Sequence, residues 1–308
     1  MFDEDRNSES LLVKEPQLEI LYYSQKTKEK KKDTLKVLSL FSGCGGMDLG
    51  FEGGFSVLKS SVNENLKPNF IEKNLKNGFV QLRKTKFKTV FANDILPDAR
   101  NAWVNFFTKR GHNAEDFYQD SIVDLVKMYR SGTNVFPDDV DVVTGGFPCQ
   151  DFSLAGKRNG FNSHKNHKGE IINDKTASVE TRGQLYMWMK EVIEITQPKI
   201  FIAENVKGLV NLGDVKSIIQ SDFSSANGNG YIVLDPQVLH SADYGVPQSR
   251  ERVIFIGIKK SALTETALYE LQKKVISEKY NPYPQQTHAY SNAGENLKPF
   301  VQLKDIFK

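Results

Sequence analysis

Two cysteines stand in this chain, and their neighbours decide which could do chemistry. Cys44 lies in Phe-Ser-Gly-Cys-Gly-Gly (41–46) and Cys149 in Gly-Gly-Phe-Pro-Cys-Gln-Asp-Phe-Ser (145–153). Two cysteines cannot make a disulfide framework or a four-thiolate zinc site, so at least one thiol is free to react and no metal is expected. Core cysteines are mostly inert, but Cys149 sits among glycine, proline, glutamine and aspartate, just after an apolar run. Glu204 ends another apolar run in Ala-Glu-Asn-Val (203–206), where an acid is hard to explain as packing. Asn205 beside it can hold that region. Gln248, Arg250 and Arg252 alternate in Gln-Ser-Arg-Glu-Arg. A period of two puts Arg250 and Arg252 on one strand face, two guanidiniums suited to a phosphate or a carboxylate.

A second group of residues has the chemistry of a small-molecule site. The glycines of 41–46 let the backbone approach a ligand and present amide N–H groups. The turn lacks the Lys-Ser/Thr of a triphosphate loop and misses the strict dinucleotide spacing. Asp94, at the end of the next apolar run, can accept hydrogen bonds from ribose hydroxyls or cap the helix that follows. Asp120 can take the exocyclic amine of an adenine or be a plain loop acid.

Strands and helices must position these groups. Leu35–Phe41, Thr89–Asp94, Asp139–Phe147, Pro198–Asn205, Tyr231–Leu239 and Arg252–Ile258 read as strands, with a weaker one around Asp116–Asp120. Helical spacing follows Gly46, Ile95 and Gly183. Alternating strands and helices imply an α/β fold, a doubly wound, mostly parallel Rossmann-like sheet. The last two strands, close in sequence, suggest one antiparallel edge. Residues 1–34 read as an extension whose 26–33 charge run is a linker, a frayed helix or a basic arm on a phosphate backbone. The strand-helix pattern covers 35–260, and residues 261–308 follow it.

Bulk properties narrow the class. With 308 residues, 26% of them charged, the chain can bury a sizeable core. Mean hydropathy is −0.45; no apolar run is long enough to span a bilayer, and the acidic N-terminus is the wrong chemistry for a signal peptide. A soluble, cytoplasmic protein is expected. A net charge of +3 on this length decides nothing about nucleic acid; a phosphate-binding surface must come from local clusters.

Taken in order, the five segments resemble the DNA cytosine 5-methyltransferase family over roughly 35–258. The resemblance implies a methyltransferase fold, S-adenosylmethionine as methyl donor, double-stranded DNA as substrate and a bacterial, nucleoid-associated restriction-modification role. It makes Cys149 the thiolate that adds to cytosine carbon 6, covalent catalysis that splits one hard step into easier ones. Glu204 resembles the glutamate that meets N3 and the amino group, and Arg250 the arginine that binds the flipped base. Gln248 and Arg252 rank behind it, with Arg252 on a phosphate or on Glu204. Phe41, Ser42, Gly43, Cys44 and Gly46 resemble the methionine-binding turn, with the Cys44 thiol a spectator. Asp94 and Ile95 match the ribose and adenine contacts, followed by Asp120 and Ser121, while Pro148 and Leu185 line the pocket. Gln150 and Ser153 fall in the loop after the cysteine, where Lys157 and Arg158 could hold phosphates and Gln150 could fill the gap left by the base.

One departure stands out. The resemblance makes 35–260 the catalytic domain and 261–308 the start of a connection: the family continues past the Gln-x-Arg-x-Arg strand into a target-recognition region and a closing block, whereas residues 281–290 and 299–308 resemble only the segment that leads towards that region. The chain is then the large subunit of a two-polypeptide enzyme, a fragment, or an enzyme with a minimal recognition element. A transfer-RNA cytosine methyltransferase shares the same three-residue chemistry and is the alternative activity. A catalytically dead binding module and an NAD-dependent enzyme fit the motifs less well.

Overall fold

The computed structural model describes residues 34–148, 185–211, 214–290 and 296–307. The first apolar run forms β1 (Leu35–Leu40), which passes through the glycine turn into α1 (Gly46–Glu52). Three short strands follow: β2 (Ser56–Leu58), β3 (Ile71–Asn74) and β4 (Phe79–Leu82). The alternation of strand and helix then resumes with β5 (Phe87–Asn93), α2 (Pro97–Phe107), β6 (Phe117–Tyr118), α3 (Ile122–Arg130) and β7 (Val142–Gly145). Next come α4 (Leu185–Thr196), β8 (Ile200–Val206), α5 (Val215–Ser224), the single turn α6 (Ala226–Asn229), β9 (Tyr231–Val233), β10 (Gln237–His240) and β11 (Glu251–Lys259). The described chain closes with α7 (Glu265–Leu271), β12 (His288–Ala289) and β13 (Lys298–Pro299).

The main sheet runs β10-β11-β8-β7-β1-β5-β6, with β9 also on β11. From β8 through β6 all pairs are parallel. β11 is antiparallel to β8, and β9 and β10 are antiparallel to β11. This is the expected doubly wound, mostly parallel α/β sheet. The chain winds one way from β1 through β5 to β6 and the other way through β7 to β8. Open α/β sheets place ligands where the winding reverses, in the crevice beyond the carboxyl ends of the strands.

Both faces of the sheet are covered, because alternate strand residues point to opposite sides. Leu38, Leu40, Phe201, Ala203, Val253 and Phe255 enter one core with buried residues of α3, α4 and α5. Ile256 and Ile258, with the partly buried Ile200, Ile202 and Ile254, face the other way onto Leu271 and Tyr283. On that second side Ala92 and Phe117 meet Trp103 and Phe107 of α2. Only strands buried on both faces read as near-continuous apolar runs, which is why these were visible in the sequence.

Three features differ from the sequence expectation. The 231–239 run is two strands: Val233 lies opposite Gly257 and Gln237 opposite Ile254, so four steps on one strand face three on its partner. The extra residue is a bulge at Leu234–Pro236, where Pro236 has no amide to give the ladder. The weak strand near 116–120 is two residues long. The separate antiparallel sheet β2-β4-β3 was not foreseen at all.

Close packing sets one sharp requirement. A Cβ on Gly257 of β11 would lie 2.0 Å from Cε1 of Phe201 on β8, and Phe201 is wedged against Phe223 and Tyr231. Overpacking a dense core typically costs about 1–3 kcal/mol. Gly257→Ala should lower unfolding free energy by at least that much in urea titration.

Candidate active site

The turn after β1 is built by its backbone. Phe41, Gly43 and Gly45 have φ of 51°, 55° and 85°, the left-handed region that a side chain resists and glycine accepts. Gly45 is also a close approach: a Cβ there would lie 2.3 Å from the Phe107 ring and 2.7 Å from Trp103. Gly43 and Gly46 differ, since a Cβ at either would meet nothing within 4 Å. The space in front of these two is open to a ligand.

Strand ends are tied together around that space. Ser42 N donates to Asn93 O at 2.9 Å, and Ser42 Oγ both donates to that oxygen and accepts from Asn93 N at 3.1 Å. Asp94 takes Gly43 N on Oδ2 and Leu96 N on Oδ1, each at 3.0 Å. The acid therefore grips the turn and the approach to α2 at once, and each oxygen keeps acceptor capacity for a ribose hydroxyl. Asn93 is buried, and its Nδ2 donates to Tyr118 O at 2.9 Å and Asp120 O at 2.8 Å. Asp120 is exposed, and the Ser121 hydroxyl caps α3 by accepting from Val123 N. The structure thus brings Phe41–Gly46, Asp94–Ile95 and Asp120–Ser121 to the carboxyl ends of three adjacent strands. Cys44 is exposed.

A buried acid supports the turn from below. Asp48 of α1 is fully buried and accepts from Trp103 Nε1 at 2.8 Å. Burial pushes its carboxyl up to about 6, against the opposing hydrogen bonds of Ser39 and Trp103. One helical turn on, burial also raises Glu52, but hydrogen bonds from His112 and Thr89 outweigh it and hold this carboxyl below its ordinary value.

The second half of the site stands at the ends of β7 and β8. A Cβ on Gly145 would meet Met189 Sδ at 2.8 Å, so α4 lies close under the end of β7. Beyond it, a Cβ on Gly146 would come 3.2 Å from Glu204 Oε2. Glu204 Oε1 takes Arg252 Nε at 2.7 Å and faces Arg250 at 3.8 Å. Both guanidiniums therefore address one carboxylate oxygen, and the other points towards Gly146. Asn205 is buried, donates to Phe147 O at 3.2 Å and accepts from Val206 N, which fixes the Gly-Gly-Phe-Pro segment to β8.

Arg250 and Arg252 do share a face, as their spacing implied, and of the alternatives for Arg252 the structure shows Glu204. Arg252 makes the close contact, while Arg250, just ahead of β11, is half-exposed. Gln248 is exposed, its carbonyl accepting from Ser241 Oγ. Pro148 is half-buried and Leu185 is buried at the start of α4. Cys149, Gln150, Ser153, Lys157 and Arg158 lie outside the described residues. Sequence reasoning missed Asn93 and Asp48. Asn93 was detectable as a polar residue ending an apolar run directly before Asp94. Asp48 was not, because its partner Trp103 is 55 residues away.

Two tests follow from this geometry. Asn93→Ala removes a buried donor that two part-buried carbonyls share and should cost about 1–3 kcal/mol in chemical unfolding. An acid whose folded pKa is raised makes stability fall as pH rises from its unfolded pKa, near 3.9, through its folded one. Asp48→Asn should therefore remove a downward slope in stability between pH 4 and about 6, read from urea titrations across that range. An unchanged pH profile would contradict the assignment.

Comparison with known proteins gives a consistent result. The family model described as C-5 cytosine-specific DNA methylase matches residues 35–305. Type II methyltransferase M.BsuRI of Bacillus subtilis is 36% identical over 276 residues, 89% of this chain and 50% of that protein. M.BspRI of Lysinibacillus sphaericus is 32% identical over 278 residues, covering 89% and 52%. The chain thus spans about half the length of these two relatives. It covers 86% of type II methyltransferase M.AquIA of Picosynechococcus, at 29% identity over 284 residues. Among solved structures, a Spodoptera frugiperda DNMT2 variant aligns with TM-score 0.43 and 18% identity, over 73% of this chain and 50% of that one. With the family pattern running from 35 to 305, the chain belongs to the C-5 cytosine-specific DNA methylase family.

Proposed function

We propose that this chain carries the catalytic centre of a DNA cytosine 5-methyltransferase of a bacterial restriction-modification system. The carrying observation is Glu204, half-buried and paired with Arg252, with Arg250 at its side. Its second oxygen faces Gly146, which leads directly into Pro148 and Cys149. Relatives named as type II methyltransferases support the same reading.

Cytosine carbon 5 is a weak nucleophile because the ring is aromatic. In the proposed sequence Cys149 Sγ forms a bond to carbon 6, and the displaced electron pair moves onto carbon 5 and the N3 side of the ring. Glu204 Oε2 meets N3 and the amino edge, where charge gathers, and in its protonated form would donate to N3. Arg252 fixes that carboxyl, and Arg250 holds the base beside it; such preoriented groups act where charge develops. Once carbon 5 carries the methyl group, its proton leaves to a base, the carbon 5–carbon 6 double bond re-forms and the sulfur–carbon bond breaks. The base must first leave the duplex stack, at a cost of a few kcal/mol.

The open turn fits S-adenosylmethionine. Phe41–Gly46 would hold its methionine part, Asp94 the ribose, Ile95, Asp120 and Ser121 the adenine, with Pro148 and Leu185 beside them. When bound, it supplies the electrophilic methyl group. Gln150, Ser153, Lys157 and Arg158 would contact the DNA.

A duplex carrying 5-fluorocytosine tests this reading, because fluorine cannot leave as a proton does. Purified protein with labelled S-adenosylmethionine should form a covalent adduct, alone or with an extract that supplies a recognition polypeptide, and Cys149→Ser should form none. An equal adduct from Cys149→Ser, or methylation of RNA in place of DNA, would contradict it. Glu204→Gln should lower kcat about 10²–10³-fold, the usual loss for one charge-stabilising group.

A further inference from the structure

The unforeseen β2-β4-β3 sheet is inserted between α1 and β5. Residues 55–88 contain eight Lys or Arg and two Glu, a net charge of +6 in a chain whose total is +3. The remainder is therefore net negative, and the basic surplus is concentrated in one small element. Lys73, Lys76, Arg83 and Lys84 are all exposed, and none pairs with a carboxylate among the described residues. A basic run is often only a solvated face. Here exposed Phe70 adds an aromatic surface, with Lys67 Nζ 5.7 Å from its ring centre.

The insert is also fixed to the catalytic side of the molecule. Asn63, buried, donates to Thr287 O at 3.0 Å and to Asn296 O at 2.7 Å. His288, fully buried, pairs with Ser60 O at 2.8 Å, and Lys298 Nζ donates to Val62 O at 2.6 Å. Gly245 packs so tightly here that a Cβ would lie 2.3 Å from Ser61 O. Gly245 belongs to the loop that runs on to Gln248 and Arg250. At the far end of the insert, Lys59 N donates to Gly78 O, which brings the β3–β4 turn back towards the same junction.

We propose that the β2-β4-β3 sheet is a second contact surface for duplex DNA, with Lys73, Lys76 and Arg83 on the phosphate backbone beside the target. The inference rests on the DNA methyltransferase reading. A duplex offering its base to Glu204 and Arg250 has its flanking backbone close to the loop on which the insert is mounted. The surface contributes affinity and orientation without reading sequence, since phosphate contacts carry no base information.

Each phosphate neutralised releases counterions and steepens the fall of log K with log salt by about 0.9. The whole chain should bind a short duplex with a marked salt dependence, followed by fluorescence anisotropy. Lys73→Gln/Lys76→Gln/Arg83→Gln should make that slope shallower by about 2–3, and each single change by about 1. Their unfolding midpoints should match the parent, and the single variants keep the test valid if the triple one unfolds. An unchanged slope, tighter binding of single-stranded RNA than of duplex, or no duplex binding by the parent at low salt would overturn the proposal. The methyltransferase reading is judged separately, by the Cys149 adduct.

Discussion

The contact between Arg252 and Glu204 is the constraint around which the site is organised. It crosses from β11 to β8, and it exists because β11 runs antiparallel in a sheet that is otherwise parallel through β8. Arg252 lies opposite Val206 and Ile254 opposite Glu204, so the guanidinium starts beyond the carboxylate and reaches back. A parallel strand here would need a long crossover. The antiparallel return instead delivers the arginines from a loop that the rest of the molecule can hold.

The other half of the site depends on hydrogen bonds between strand ends. Ser42, Asn93 and Asp94 lock the turn after β1 to β5, and Asn93 extends the lock to the segment after β6. The support beneath is polar as well: Asp48 on Trp103 and Glu52 on His112 anchor α1. Buried acids are costly unless hydrogen-bonded, and here each has a partner from α2 or the segment after it.

Much of this was legible in the residues, for identifiable reasons. Strand β8, which carries Glu204, and strand β7, which precedes Cys149 in the sequence, are covered on both faces and so read as apolar runs. Asp94 was visible because it closes such a run. Which of its two alternatives Arg252 takes depends on the register of β11 against β8, which spacing does not reveal. The β2-β4-β3 sheet was invisible because its strands have three or four residues each, too few for a period to emerge. Its charge was visible but diluted, since the whole-chain total hides a basic insert against an acidic remainder.

In the proposed mechanism the thiol of Cys149 attacks cytosine under the control of Glu204. Addition at carbon 6 makes the hydrogen on carbon 5 exchangeable with water, before any methyl transfer. Release of tritium from duplex DNA carrying [5-³H]cytosine, without methyl donor, therefore reads the addition step alone. Release by the parent protein is expected, supplied with its recognition partner where one is needed, with a steep fall in Glu204→Gln and no release by Cys149→Ser. Release at the parent rate by Cys149→Ser would contradict it.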